Sequence, residues 1–93
     1  MIRSYRNRDT HLVAERRRVN RFPYDVQRRA QSKLMMINNT TDLGDLRTPP
    51  GNRLDALSGD RRGQHSIRVK RQWRICFVWR DGDAYQVEIV DYH

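Results

Sequence analysis

The apolar residues of this 93-residue chain keep two different periods, and the change between them near Arg53 limits what the chain can fold into. Before that point they recur at helical spacing. Val26, Ala30, Leu34 and Ile37 line one side of a helix, with Pro23 suited to its first turn, Asp25 near its positive end and Asn38-Asn39-Thr40-Thr41 to stop it. An earlier helix runs through Leu12, Val13, Glu15 and Val19, capped by Asp9-Thr10, its apolar face diluted by Arg16-Arg17-Arg18. Ile2 to Tyr5 reads as a short opening strand, Thr41 to Leu46 as one further turn, and Pro49-Pro50-Gly51 as an extended crossing. Beyond Arg53, alternate residues are apolar. Ile67 and Val69 share one face of a strand over 64–70, and Trp73, Ile75, Phe77 and Trp79 share one over 72–80. Tyr85, Val87 and Ile89 continue that face in a last strand, after a hairpin signal at Arg80-Asp81-Gly82-Asp83. Two helices followed by three meandering strands predict an α+β fold in one domain over 1–93, N-terminal helices packed on one face of a small, mainly antiparallel sheet. The other face carries Ser66, Arg68 and Arg74, and no helix remains to cover it.

Charge singles out the same halves. The net charge is +8, with 19 Lys plus Arg against 11 acids. It is laid down in blocks: ten cations against three acids over 1–33, two against four over 34–60, seven against none over 61–80, and four acids with no Lys or Arg over 81–93. Two basic segments separated by acidic ones predict a one-sided basic surface, as a polyanion binder needs. Cys76 is the one cysteine, which excludes an internal disulfide framework and a multi-thiolate zinc site. No stretch approaches the roughly 20 apolar residues of a membrane span, and no apolar run follows the N-terminus to make a signal peptide. These features place the chain among small, soluble, cytoplasmic proteins without a membrane partner.

Longer motifs are more specific. Arg47-Thr48-Pro49-Pro50-Gly51-Asn52-Arg53-Leu54-Asp55-Ala56-Leu57-Ser58-Gly59-Asp60-Arg61 is followed by Gly63-Gln64-His65-Ser66-Ile67-Arg68-Val69 and Gln72-Trp73-Arg74-Ile75-Cys76-Phe77, and the chain closes on Val87-Glu88-Ile89-Val90-Asp91-Tyr92-His93. This set resembles the HigB toxins of the RelE/ParE superfamily of type II toxin–antitoxin systems, nearest their GraT-like branch. The likeness is dense in the C-terminal half and mainly one of layout before it. It implies a ribosome-dependent endoribonuclease that cuts translated mRNA and uses no metal or other cofactor. It also implies a HigA-type helix-turn-helix antitoxin, through which alone the toxin would meet operator DNA.

Metal-free RNA cleavage needs a base for the attacking 2′-hydroxyl, an acid for the leaving 5′-oxygen, and positive charge for the pentacoordinate oxyanion. Arg68 and Arg74, on the uncovered face, supply charge. His93 is the proton carrier suited to neutral pH. Tyr92 can stack on a base or hydrogen-bond through its hydroxyl, and Asp91 can orient His93 or act as base. His65 shares the Ile67 face and reads as structural, His11 as a solvated helix residue, Cys76 as a small buried apolar one. Where many HigB toxins carry His and Lys in the crossing loop, this chain has Asp55 and Ser58. Asp55 can serve as a base, but two cations are lost, so a mild toxin is expected. Arg16, Arg17, Arg18, Arg28 and Arg29, with Arg61 and Arg62, are candidate contacts to ribosomal RNA. Two other readings share the pattern: a ParE-like toxin that binds DNA gyrase without cleavage, and a non-catalytic RNA-binding module.

Overall fold

Capping residues and reversals of backbone hand set the limits of each element. The computed structural model describes residues 1–92. Helix α1 spans Arg8–Ala14, and its cap is Asn7, whose side chain accepts from the Thr10 amide at 2.9 Å. Asp9 and Thr10 therefore lie inside the helix rather than capping it. Thr10 is buried instead, its hydroxyl accepting from the Ile89 amide at 3.1 Å. The helix also stops short of the arginine run, because Arg16 takes a left-handed φ of 66°. Three consecutive side chains about 100° apart on a helix would force a guanidinium toward the core. Leaving the helix keeps Arg16, Arg17 and Arg18 exposed while Val19 is buried.

Helix α2 spans Tyr24–Asn39, with Pro23 at its cap, and buries Val26, Ala30, Leu34 and Ile37. A 3₁₀ turn over Leu43–Arg47 follows. The crossing is not simply extended: Pro50–Asn52 forms a second 3₁₀ turn and Arg53 turns left-handed at φ 47°. Asn52 explains the bend. It is fully buried, donating to the Leu46 carbonyl at 3.0 Å and the Met36 sulfur at 3.1 Å while accepting from Lys33. A straight segment would leave that amide unpaired in the interior, at a cost of about 1–3 kcal/mol.

The sheet runs in the order β1-β2-β3-β4, with every neighbouring pair antiparallel. Strand β1 is Asp55–Ala56, β2 His65–Lys70, β3 Trp73–Arg80 and β4 Asp83–Asp91. Asp81 and Gly82, with φ of 52° and 82°, close the β3–β4 hairpin, the double positive-φ geometry that Asp-Gly favours. The opening segment makes no regular strand. It touches β4 through two isolated parallel bridges, Ile2 with Ala84 and Tyr5 with Val87.

One expectation about β4 is corrected. Cys76 faces Glu88 while Val78 faces Tyr85, so β4 holds one residue more than β3 between these pairs. The bulge includes Gln86 at φ 52°, and an inserted residue reverses which alternate side chains point inward. Ala84, Val87 and Ile89 are buried, whereas Tyr85 falls on the opposite face. Phe22, Leu34, Ile37, Leu46, Ile67, Ile75 and Phe77 make up the bulk of the core between the helices and the sheet. Trp73 closes one margin, edge-on to Phe22 at 5.6 Å.

Candidate active site

On the face turned away from the helices, one row of residues crosses all four strands. Asp55 pairs with Ser66, Ser66 with Cys76, and Cys76 with Glu88. Partners in an antiparallel ladder point to the same side. The next row holds Arg68, Arg74 and Val90.

Arg74 leans back across the first row. Its Nε donates to the Ser66 hydroxyl at 2.7 Å, and its Nη2 to the carbonyls of Arg53 at 2.7 Å and Ser66 at 3.3 Å. The arginine thus ties the crossing loop to the sheet and holds Asp55, two residues on, beside Ser66. Arg68 behaves differently: its Nε donates to the Arg71 carbonyl at 3.1 Å, in the β2–β3 turn.

Arg61 enters the same face from a 3₁₀ turn over Gly59–Arg61. Its Nη1 donates to Glu88 and to Gln64, each at 3.2 Å. Glu88 is also 3.8 Å from Arg6. Tyr92 is pinned by its amide, which donates to the Gln72 carbonyl at 2.9 Å, and its ring is partly exposed. Tyr92 lies close enough to the buried thiol of Cys76 for each to shift the other's acidity. Burial, with Cys76 beside it, raises the phenol above its ordinary value, so Tyr92 is a neutral hydroxyl at physiological pH. Burial likewise raises the Cys76 thiol, which keeps it protonated and unreactive. Arg61 and Arg74 both act electrostatically on Tyr92 and Cys76. Two guanidiniums, a phenol and a thiol therefore meet on one patch, with a hydroxyl and carboxylates at its edges.

A model of the RelE-like toxins of type II toxin–antitoxin system HigB matches residues 3–93. The chain belongs to this HigB-like toxin family. It is 34% identical to the Endoribonuclease HigB of Proteus vulgaris, the aligned residues covering 100% of both chains. It is 40% identical over 63 residues to Toxin HigB-1 of Vibrio cholerae serotype O1, covering 68% of this chain and 66% of that one. Membership in a type II system brings an antitoxin partner with it.

The other residues singled out in this HigB-like toxin take no part in the Cys76–Tyr92 patch, Arg61 apart. Asp91 is in register with Trp73, whose ring packs on the core side, so the pleat sets Asp91 apart from the Cys76 row. His93 lies outside the described residues. Arg18 is engaged internally, donating to the carbonyls of Val19 at 3.0 Å and Phe22 at 2.8 Å and to Gln27 at 2.8 Å. Arg16 borders a groove with Ile2, Tyr5, Leu34 and Met35. Arg28 and Arg29 line a cleft with Asp25, Ser32, Lys33 and Lys70, and Arg16, Arg18 and Arg28 come together at another beside Tyr24, where the guanidiniums of Arg18 and Arg28 both lie over its ring. Arg17 and Arg62 are exposed. Of the seven arginines read as ribosomal RNA contacts, Arg61 alone reaches the Cys76–Tyr92 patch. His65 stacks on Phe77 at 6.5 Å, on the helix side, in line with a structural role. His11 is exposed but stacks on Tyr5 at 4.7 Å. Among the described residues no three His, Cys, Asp or Glu side chains gather to hold a metal ion, and no helix is long and apolar enough to cross a membrane.

Proposed function

We propose that this HigB-like toxin is an endoribonuclease that cleaves mRNA held on the ribosome and is neutralised by a HigA-type antitoxin. The observation that carries the reading is the convergence of Arg61, Arg74 and Tyr92 around Cys76 on a face no helix covers. Such a patch suits a phosphodiester: guanidiniums match phosphate geometry, and a neutral phenol can donate to an oxyanion or stack on a base. In the reaction, the 2′-oxygen bonds to phosphorus and passes its proton to a base, for which Asp55 is a candidate. The bond from phosphorus to the 5′-oxygen breaks, and that oxygen takes a proton, a task suited to His93. The products are a 2′,3′-cyclic phosphate and a 5′-hydroxyl. Arg74 serves the pentacoordinate oxyanion.

The loop without cations at Asp55 and Ser58 supports a slow enzyme. Removing one oxyanion donor typically costs about 10²–10³ in rate. Arg74→Ala is therefore expected to lower mRNA cleavage in a translation-coupled assay by at least about 10²-fold, and cleavage equal to the parent would sink the assignment. A DNA supercoiling assay on the same protein tests the gyrase-directed reading, which predicts inhibition there and no cleavage.

A further inference from the structure

Cys76 has two cross-strand partners, and each holds a guanidinium. Ser66, on β2, accepts from Arg74 at 2.7 Å; Glu88, on β4, accepts from Arg61 at 3.2 Å. Neighbouring strands lie about 4.8 Å apart, so these two anchors are about 10 Å apart with Cys76 midway. Arg74 reaches from Ser66 on to the Arg53 carbonyl while Arg61 reaches Glu88 on the other side, so the two guanidiniums flank the Cys76 position, and both act electrostatically on Cys76 and Tyr92.

Arg61 is built to stay there. Its side chain is only 26% exposed, and Nη1 makes both of its bonds, to Glu88 and Gln64. The Nε–Nη2 edge makes no hydrogen bond among the described residues. That edge is the one a guanidinium offers to a phosphate in a bidentate pair. Arg61 also follows Ser58 by three residues in the turn that Ser58 caps, so the chain sends a cation to the patch from the loop where Asp55 and Ser58 provide none.

Resting on the endoribonuclease reading, we propose that Arg61 is a catalytic residue that binds the scissile phosphate opposite Arg74, with Glu88 fixing its pose. It is not a peripheral contact to ribosomal RNA. A phosphate gripped from both sides gains charge stabilisation as its oxygens become more negative, so the effect falls on the chemical step and not on docking.

The test is single-turnover cleavage of mRNA on programmed ribosomes at saturating toxin, with ribosome affinity measured separately. Arg61→Ala is expected to slow cleavage about 10²-fold while affinity changes less than about threefold. Arg61→Lys, charged but unable to bind bidentately, is expected to fall between. Adding Ser58→Lys to Arg61→Ala returns a loop cation and is expected to recover at least about tenfold of the loss. Thermal melting of each variant checks the fold, and recovery by Ser58→Lys excludes misfolding as the cause. Arg61→Ala cleaving like the parent, while Arg74→Ala fails, overturns this proposal alone. Loss of ribosome affinity with an unchanged rate at saturation also overturns it and returns Arg61 to rRNA docking. A parent chain that does not cleave overturns the endoribonuclease reading and this proposal with it.

Discussion

Cys76 is the hinge of the candidate site without supplying any of its chemistry. It is fully buried, its thiol is held protonated, and it stands between the two residues that anchor Arg61 and Arg74. Its part is to seat Tyr92. Cys76→Ser keeps a polar partner for the phenol, whereas Cys76→Val removes it at similar volume. Valine is expected to slow cleavage about fivefold, the equivalent of one net hydrogen bond of about 1 kcal/mol, and serine to restore most of that loss. Equal rates for the two variants in the translation-coupled assay would remove Cys76 from the positioning of Tyr92. Alternation in the sequence was enough to bring Arg68 and Arg74 to the open face with Ser66, because a strand's pleat obeys a simple count. It could not bring Arg61 there. That side chain starts outside the strands, 27 residues from Glu88, and the reach of a long flexible side chain follows no period. Nor did alternation reveal that Arg68 bonds the adjacent turn while Arg74 reaches across to the crossing loop, since both occupy equivalent positions on the ladder.

At the scale of elements, helix α2 and strands β2 and β3 were legible because their apolar residues repeat without interruption. The edges of the pattern were not. Helix α1 stops at Ala14 because a run of arginines is better solvated outside a helix than on one, and the crossing bends because buried Asn52 needs partners. Strand β4 misled for a different reason. Its bulge at Gln86 changes the inward parity, so counting back from Ile89 and Val87 wrongly puts Tyr85 in the core and Ala84 outside. This difference has a thermodynamic signature. Ile89→Ala is expected to destabilise by about 2–5 kcal/mol, as for a buried branched side chain. Tyr85→Ala, which loses a surface ring beneath Arg80 at 4.6 Å, is expected to lose no more than about 1 kcal/mol. Urea denaturation of the two variants distinguishes them; equal losses would argue against the bulge.

Across the whole molecule, the first residues are fastened to the last strand. The Met1 amino group and Arg3 both pair with Asp83, each at 3.1 Å, and the backbone continues the seam from Arg3 to Ala84 at 2.8 Å and from Val87 to Ser4 at 3.1 Å. The Asp83 carboxyl is held below its ordinary value, first by its hydrogen bond from the Met1 amino group and then by Arg3. A depressed value in the folded state means that this fastening is fully present above the usual carboxylate range and is lost as pH falls through the depressed value. Amide exchange at Ala84 and Val87 is therefore expected to lose protection below about pH 4, earlier than at Ile75 in the sheet centre. Asp83→Asn should flatten that dependence; an unchanged acid profile would contradict the assignment. The seam also orders events during synthesis. Contacts such as Thr10 to Ile89 join residues 79 apart, so α1 and the opening segment, although both touch α2, gain their sheet contacts only once β4 has been translated and has left the exit tunnel. A chain cut short before β4 has neither a closed core nor Glu88 to fix Arg61, so a truncated message yields no assembled site.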